Sequence, residues 1–270
     1  YNLSDDQTEY QINDIMSFMR FLGINLCEKV PDAKTIWKFK NDLAETETVD
    51  KLFCMFDEHL ENKGLISHKG TIVDATFVDA PRQRNSRDEN KKIKNGVIPE
   101  EWEKPENKSK LAQKDIDADW TKKNGERHFG YKDHVKCDAD SKLITNYSVT
   151  SASVHDSQRC LVFIGQEDEV LYADSAYSGK PIALALPENC KNQICEKGYR
   201  NSPLTSEQKM NNRRKSRIRC RIEQIFGFMT GAMHGITIRS IGITRAWMNI
   251  GITNLVYNFC RYSYLKRASA

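Results

Sequence analysis

The stretch Thr71-Ile72-Val73-Asp74-Ala75-Thr76-Phe77-Val78-Asp79-Ala80-Pro81 decides the fold. Its β-branched and apolar residues suit a strand buried on both faces of a sheet. Asp74 breaks the run, and an isolated buried charge costs on the order of several kcal/mol. Two readings of Asp74 stand: a carboxylate at a strand end, hydrogen-bonded to a loop, or a metal ligand held on a rigid strand. A second run, Glu169-Val170-Leu171-Tyr172-Ala173-Asp174, repeats the order of apolar strand then acid. Two such strands favour the metal reading.

The bulk properties set outer limits. A chain of 270 residues, 39% hydrophobic and 29% charged, is that of a soluble protein with one large domain or a domain with an appendage. No apolar run approaches the roughly 20 residues of a membrane helix. The opening Tyr1–Asp6 carries no signal-peptide pattern, and its lack of Met implies that an upstream segment has been removed. The eight cysteines include no CxxC pair, so zinc is not expected and reduced thiols of a cytoplasmic protein are. The net charge of +4 is small, but between Lys197 and Arg221 nine Lys/Arg stand against one acid, Glu207. That excess reads as a phosphate-facing surface, with a solvated helix face as the plainer alternative.

Periodicity supplies the elements. Helical spacing of Ile12, Ile15, Met16, Met19 and Leu22 predicts a helix over 8–22. A second follows from Pro31-Asp32 through Leu43, and a third runs over 47–60. These form a small helical unit over 1–66, for DNA binding, dimerisation or packing on the main domain of 67–270. Residues 82–127 are charged, poor in apolar side chains and marked by Pro99 and Pro105, so a long loop is expected there, docked by Trp102 and Trp120. Two strands, 128–137 and 143–150, flank an Asp138-Ala139-Asp140-Ser141 turn. A short helix over 157–165, the 169–174 strand, a helix over 180–186 and a strand over 193–196 come next. From Ser206 a long amphipathic helix carries Ile218, Ile222, Ile225, Phe226 and Met229, and a last helix covers 245–264. The order gives an α/β fold, one sheet backed by helices.

Three acids stand out: Asp74, Asp174 and Glu223, with Arg219 one helical turn before Glu223. Oxygen ligands of this kind suit Mg²⁺ or Mn²⁺, and two such ions serve phosphodiester chemistry. Asp79 reads as a loop cap, the His155-Asp156 pair is open between a metal or DNA contact and a helix start at Asp156 or Ser157, and His128 and His134 are open between structure and a DNA surface.

The segments ATFVDAP after Asp74, YADSAYSG around Asp174 and RIRCRIEQIFGFM around Glu223 together resemble the DDE transposases of bacterial insertion sequences. The likeness is to the insertion sequence 5 group of the wider insertion sequence 4 superfamily, and it extends to SDDQTEYQI, VPDAKTIWKF, NGERHFGYKDH and VTSASVHDS. It implies an RNase H-like catalytic domain with Asp74, Asp174 and Glu223 as the metal-binding triad. It implies cleavage at transposon ends and strand transfer into target DNA, by a homodimer acting in the bacterial cytoplasm. Arg219 fits the family's arginine four residues before the glutamate, but Ser216 stands at its Tyr position and Thr230 at its Lys position. Arg219 and Tyr177 are then expected to support the site, and Arg213, Arg214, Lys215 and Arg217 to contact phosphates. A plain nuclease and a silent DNA-binding protein are the rival readings.

Overall fold

The computed structural model describes residues 1–123 and 125–268. Four helices come first: α1 (Asp5–Asp14), α2 (Met16–Leu22), α3 (Ala33–Glu45) and α4 (Thr48–Asn62). Ser4 and Gln7 form a reciprocal cap at the start of α1, and Asp32 caps α3 through the Thr35 N–H. The helix expected over 8–22 is broken, because Ile15 is extended between α1 and α2.

Strand β1 (Thr71–Asp79) lies inside a six-stranded mixed sheet. After it come the helices α5 (Arg87–Lys94), α6 (Glu100–Glu103) and α7 (Lys108–Ala112), then β2 (Asp119–Lys123), β3 (Glu126–Asp138) and β4 (Ile144–Ser151). The remainder is α8 (Ser157–Phe163), β5 (Val170–Tyr172), α9 (Lys180–Ala185), β6 (Lys191–Asn192), α10 (Ser206–Arg219), α11 (Arg221–Thr230) and α12 (Ile243–Ala268). The sheet runs β2-β3-β1-β5-β6, with β4 also paired to β3, along Tyr131 to Cys137. β1 is antiparallel to β3 and parallel to β5, which is parallel to β6. Antiparallel hairpin strands joined to parallel crossover strands, with helices on both faces, make an RNase H-like fold.

The alternation of β1 sorts its side chains between two cores. Ile72 and Val78 face a core shared with Val135, Ile222, Ile225, Met229, Ile250 and Phe53. Val73 faces Cys160, Phe163, Leu171, Tyr177 and Ile182. Phe53 of α4 thus sits in the sheet's own core, and Asp50 of α4 accepts hydrogen bonds from Tyr147 and Trp247. The helical N-terminal region is bonded into the main body. Asn258 of α12 mimics a strand: it accepts from the Ile144 N–H at 2.9 Å and donates to the Ile144 carbonyl at 2.7 Å. Gly130 has φ +145°, and a Cβ there would meet the Val78 carbonyl oxygen at 2.3 Å. No side chain fits where β3 presses against the end of β1.

The expected loop over 82–127 is instead a folded insertion. Trp102 is fully buried in it, donating its indole N–H to Glu89 at 2.7 Å beneath the ammonium groups of Lys110 and Lys114. Trp120 lies on the unforeseen strand β2, against Phe129. The later strands also differ: the core of 169–174 is the three residues of β5, and β6 falls at Lys191–Asn192 rather than over 193–196. The long helix from Ser206 divides at Cys220 into α10 and α11. No helix among the described residues is long and apolar enough to cross a membrane.

Candidate active site

Three elements deliver the three acids. Asp74 lies in β1, and its Oδ1 accepts the Ala75 N–H at 2.8 Å. Asp174 follows β5 and caps a 3-10 turn over Ser175–Tyr177, taking the Ala176 N–H at 2.6 Å. Glu223 stands in the first turn of α11, which packs on β1 through Ile222 and Ile225.

Arg219, the last residue of α10, ties two of them together. Its Nη1 donates to Asp74 Oδ2 and its Nη2 to Glu223 Oε1, each at 2.8 Å. A guanidinium fork suits this position, because it presents parallel donors to two carboxylates. The expected pairing with Glu223 is present, and the bond to Asp74, 145 residues away in the chain, is a finding of the tertiary structure.

The electrostatics point the same way. Burial pushes the Asp74 carboxyl above its usual range, and the charge of Asp174 adds to the effect. The Ala75 N–H, Arg219 and Lys123 act the other way. Burial works against the Arg219 charge, yet Asp74 and Glu223 outweigh it and hold the guanidinium above its ordinary value. Lys123 is not legible as a site residue in the sequence because β2, which carries it, reads as loop. Tyr177 is fully buried behind the acids with no partner for its hydroxyl among the described residues, and burial, then the charge of Asp74, drives its pKa up.

The flanking residues divide by exposure. Arg213, Arg214 and Arg217 project to solvent from α10. Lys215 turns inward, donating to the Ile194 carbonyl at 2.9 Å with Glu196 at 3.9 Å. Ser216 rests 3.7 Å from the Cys195 sulfur, and Thr230 donates to its own helix at Phe226 O. His134 is buried and bonded to Thr150, so it is a core histidine and not part of a DNA surface. His128 stacks on Phe77 with centroids 4.2 Å apart. The helix start expected at Asp156 or Ser157 is present: Asp156 is the N-cap of α8, with His155 accepting from the Ser157 N–H, and the Asp156 carboxylate takes the Lys132 ammonium at 2.7 Å in place of a capping bond. Asp79 is exposed, 3.9 Å from His128.

Among the described residues, the three-residue group whose potential ligand atoms all lie within 4.8 Å of one another is His68, Glu167 and Asp168. That group already holds a cation, since Lys136 lies 3.0 Å from Asp168 and 3.7 Å from Glu167. Asp74, Asp174 and Glu223 are spread wider, around Arg219. Their donor set of carboxylates fits a hard divalent ion, and a positive group already lies between two of them.

Comparison with known families places most of the chain. The family described as "Transposase DDE domain" matches residues 66–259. A second, "Transposase domain (DUF772)", matches residues 1–42. No solved structure matches the chain. DDE transposases are divalent-metal enzymes that cleave DNA at transposon ends and transfer the strand to a target. With its RNase H-like sheet and most of its length inside the match, this chain belongs to the transposase DDE domain family.

Proposed function

We propose that Asp74, Asp174 and Glu223 are the metal-holding triad of this transposase, and that Arg219 keeps the place of a cation among them. The observation that carries the reading is the double 2.8 Å bridge from Arg219 to Asp74 and Glu223. Acids with no shared partner repel each other; these are drawn toward one positive centre. Two Mg²⁺ or Mn²⁺ ions, when bound, would supply the Lewis acidity that activates an attacking oxygen and offsets charge at the scissile phosphate. Asp74 and Asp174 are fixed by backbone N–H groups on rigid elements, so they present oxygens without rearrangement. Glu223, on a helix face, closes the set once Arg219 lets go. The freed guanidinium then has a phosphate oxygen as its natural partner. Buried Tyr177 backs the acids and excludes water.

Exposed Arg213, Arg214 and Arg217 are proposed as phosphate contacts, with Lys215 shaping the segment before them. The substrates are the terminal inverted repeats and the target duplex, handled by a homodimer, and the chain falls in the insertion sequence 5 group. Residues 1–66 would serve DNA binding or dimerisation beside the catalytic region of 67–270, in the bacterial cytoplasm and nucleoid.

The test is Mn²⁺ binding followed by electron paramagnetic resonance, without DNA. Arg219→Gln should bind Mn²⁺ more tightly than the parent, and Asp174→Ala should lose it. Unchanged Mn²⁺ affinity in Asp174→Ala removes that acid from the triad. An end-labelled terminal-repeat oligonucleotide gives the activity readout: joining to a plasmid supports transposition, and cleavage alone supports a nuclease.

A further inference from the structure

A cleft of about 440 Å³ opens beyond the end of β1, away from the triad. Its walls come from three places: the chain just after β1 (Pro81 to Gln83), helix α7 and the residues following it, and the segment 239–241. Four cationic side chains line it: Arg82, Lys110, Lys114 and Arg239.

Their partners leave most of that charge uncancelled. Lys114 donates to the Asn85 amide oxygen at 2.6 Å and the Arg84 carbonyl at 3.0 Å. Arg239 donates to the side-chain and main-chain oxygens of Asn2 at 2.8 and 3.0 Å. Arg82 lies over the Trp120 ring at 5.8 Å. Neutral acceptors thus fix these head groups in place without neutralising them. Among the described residues, Lys110 alone of the four has an acid within 4.0 Å, Glu89 at 3.6 Å. Asp115, the acid in the lining, is turned inward: it is buried, and both its oxygens take the Tyr131 hydroxyl. Holding uncompensated cations together costs Coulomb energy unless an anion answers them.

We infer that this cleft grips the phosphate backbone of the DNA being processed, as a contact separate from the basic face of α10. The inference rests on the chain's acting on DNA. Arg82 is eight residues past Asp74, at most about 29 Å along an extended strand. That spans roughly eight base-pair steps at about 3.4 Å each, so one duplex with its cleavage point at the triad reaches the cleft. The folded insertion then gains a purpose, since α7 supplies one wall and buried Trp102, under Lys110 and Lys114, anchors it.

The test uses the full chain, a fluorescent random-sequence duplex of about 30 base pairs and a KCl titration read by anisotropy. Each lost phosphate contact lowers the salt slope by about 0.9, so Arg82→Gln with Lys110→Gln should lower it by about 1.8. Lys91→Gln with Lys92→Gln, exposed on α5, removes the same net charge elsewhere and should keep the parent slope. Arg82→Lys with Lys110→Arg should also keep it. If both charge-removing pairs lower the slope equally, the cleft is not a DNA contact. If the cleft pair loses pyrophosphate binding while its DNA slope stays at the parent value, the cleft is a small-anion site and the inference is overturned. A parent with no salt-dependent DNA binding at all would overturn the DNA reading and the cleft with it.

Discussion

Two ion pairs beside the same strand have opposite designs. At the start of β1, Lys136 and Asp168 meet at 3.0 Å with side chains 8% and 2% exposed. Asp168 is further satisfied by the Thr71 hydroxyl at 2.6 Å and the Gly165 N–H at 2.8 Å. In the middle of the strand, Arg219 reaches Asp74 and Glu223 with side chains 19%, 15% and 59% exposed. The first pair is closed on all sides and serves the fold. The second has one open wall and an arginine able to leave, which is what a site awaiting another cation requires. A third acid sharpens the contrast. Asp133 is fully buried with no cation paired to it among the described residues, and burial pushes its carboxyl up to about 7. Among the described residues its Oδ2 and the Asn254 Oδ1 both lack a partner, although Asn254 donates to Oδ1 at 3.2 Å. A proton on Asp133 would give both orphaned oxygens a partner.

The largest effect is expected at the closed pair. Lys136→Met should cost about 3–5 kcal/mol, because Asp168 stays behind as an uncompensated buried charge. Urea unfolding measures it, and millimolar Mn²⁺ should not restore it. Recovery with metal would erase the distinction between the two regions.

Asp133 comes next, with the sign set by its raised pKa. The folded form keeps its proton to a higher pH than the unfolded chain does, so its contribution is complete below about 4 and lost as pH climbs through about 7. His134, depressed to about 4 by burial, opposes this between about 4 and 6.5 in parent and variant alike. The difference between Asp133→Asn and the parent isolates the acid. It should shift in the variant's favour by about 3–4 kcal/mol between pH 4 and pH 8, and a flat difference would mean that Asp133 is ionised in the fold.

Arg219→Gln should lose about 1–2 kcal/mol, less than Lys136→Met, since Asp74 can take up a proton and Glu223 faces water. Millimolar Mn²⁺ should return most of it, as read by the melting temperature. Failure of metal to do so would make the open pair structural like the closed one. Smallest is Arg213→Gln with Arg214→Gln: stability within about 0.5 kcal/mol of the parent, but a DNA salt slope lower by about 1.8.

Much of this is legible along the chain. The apolar run broken by Asp74 marks the central strand, since only a strand buried on both faces tolerates such a composition. The core stripe of α11 and the arginine four residues before Glu223 follow from helical spacing alone. The insertion reads as loop because its few apolar residues hide that a single Trp102, capped by lysines, suffices to hold short helices together. β2 escapes for a related reason: as Asp119-Trp120-Thr121-Lys122-Lys123 it has little strand character of its own and forms by pairing with the first half of β3. The break at Cys220 is equally silent, because the side-chain pattern of α10 and α11 continues across it.

The sequence by itself determined which side chains are chemically able to form a hard-cation site, and that strands and helices alternate so as to bury one sheet between two layers. Those are local properties of composition and period. That Arg219 bridges β1 and α11, that Lys136 neutralises Asp168, and that four cations from three separate segments line one cleft were decided by the tertiary structure. Charge pairing depends on distance in space, and a folded chain brings together residues 145 positions apart as readily as neighbours.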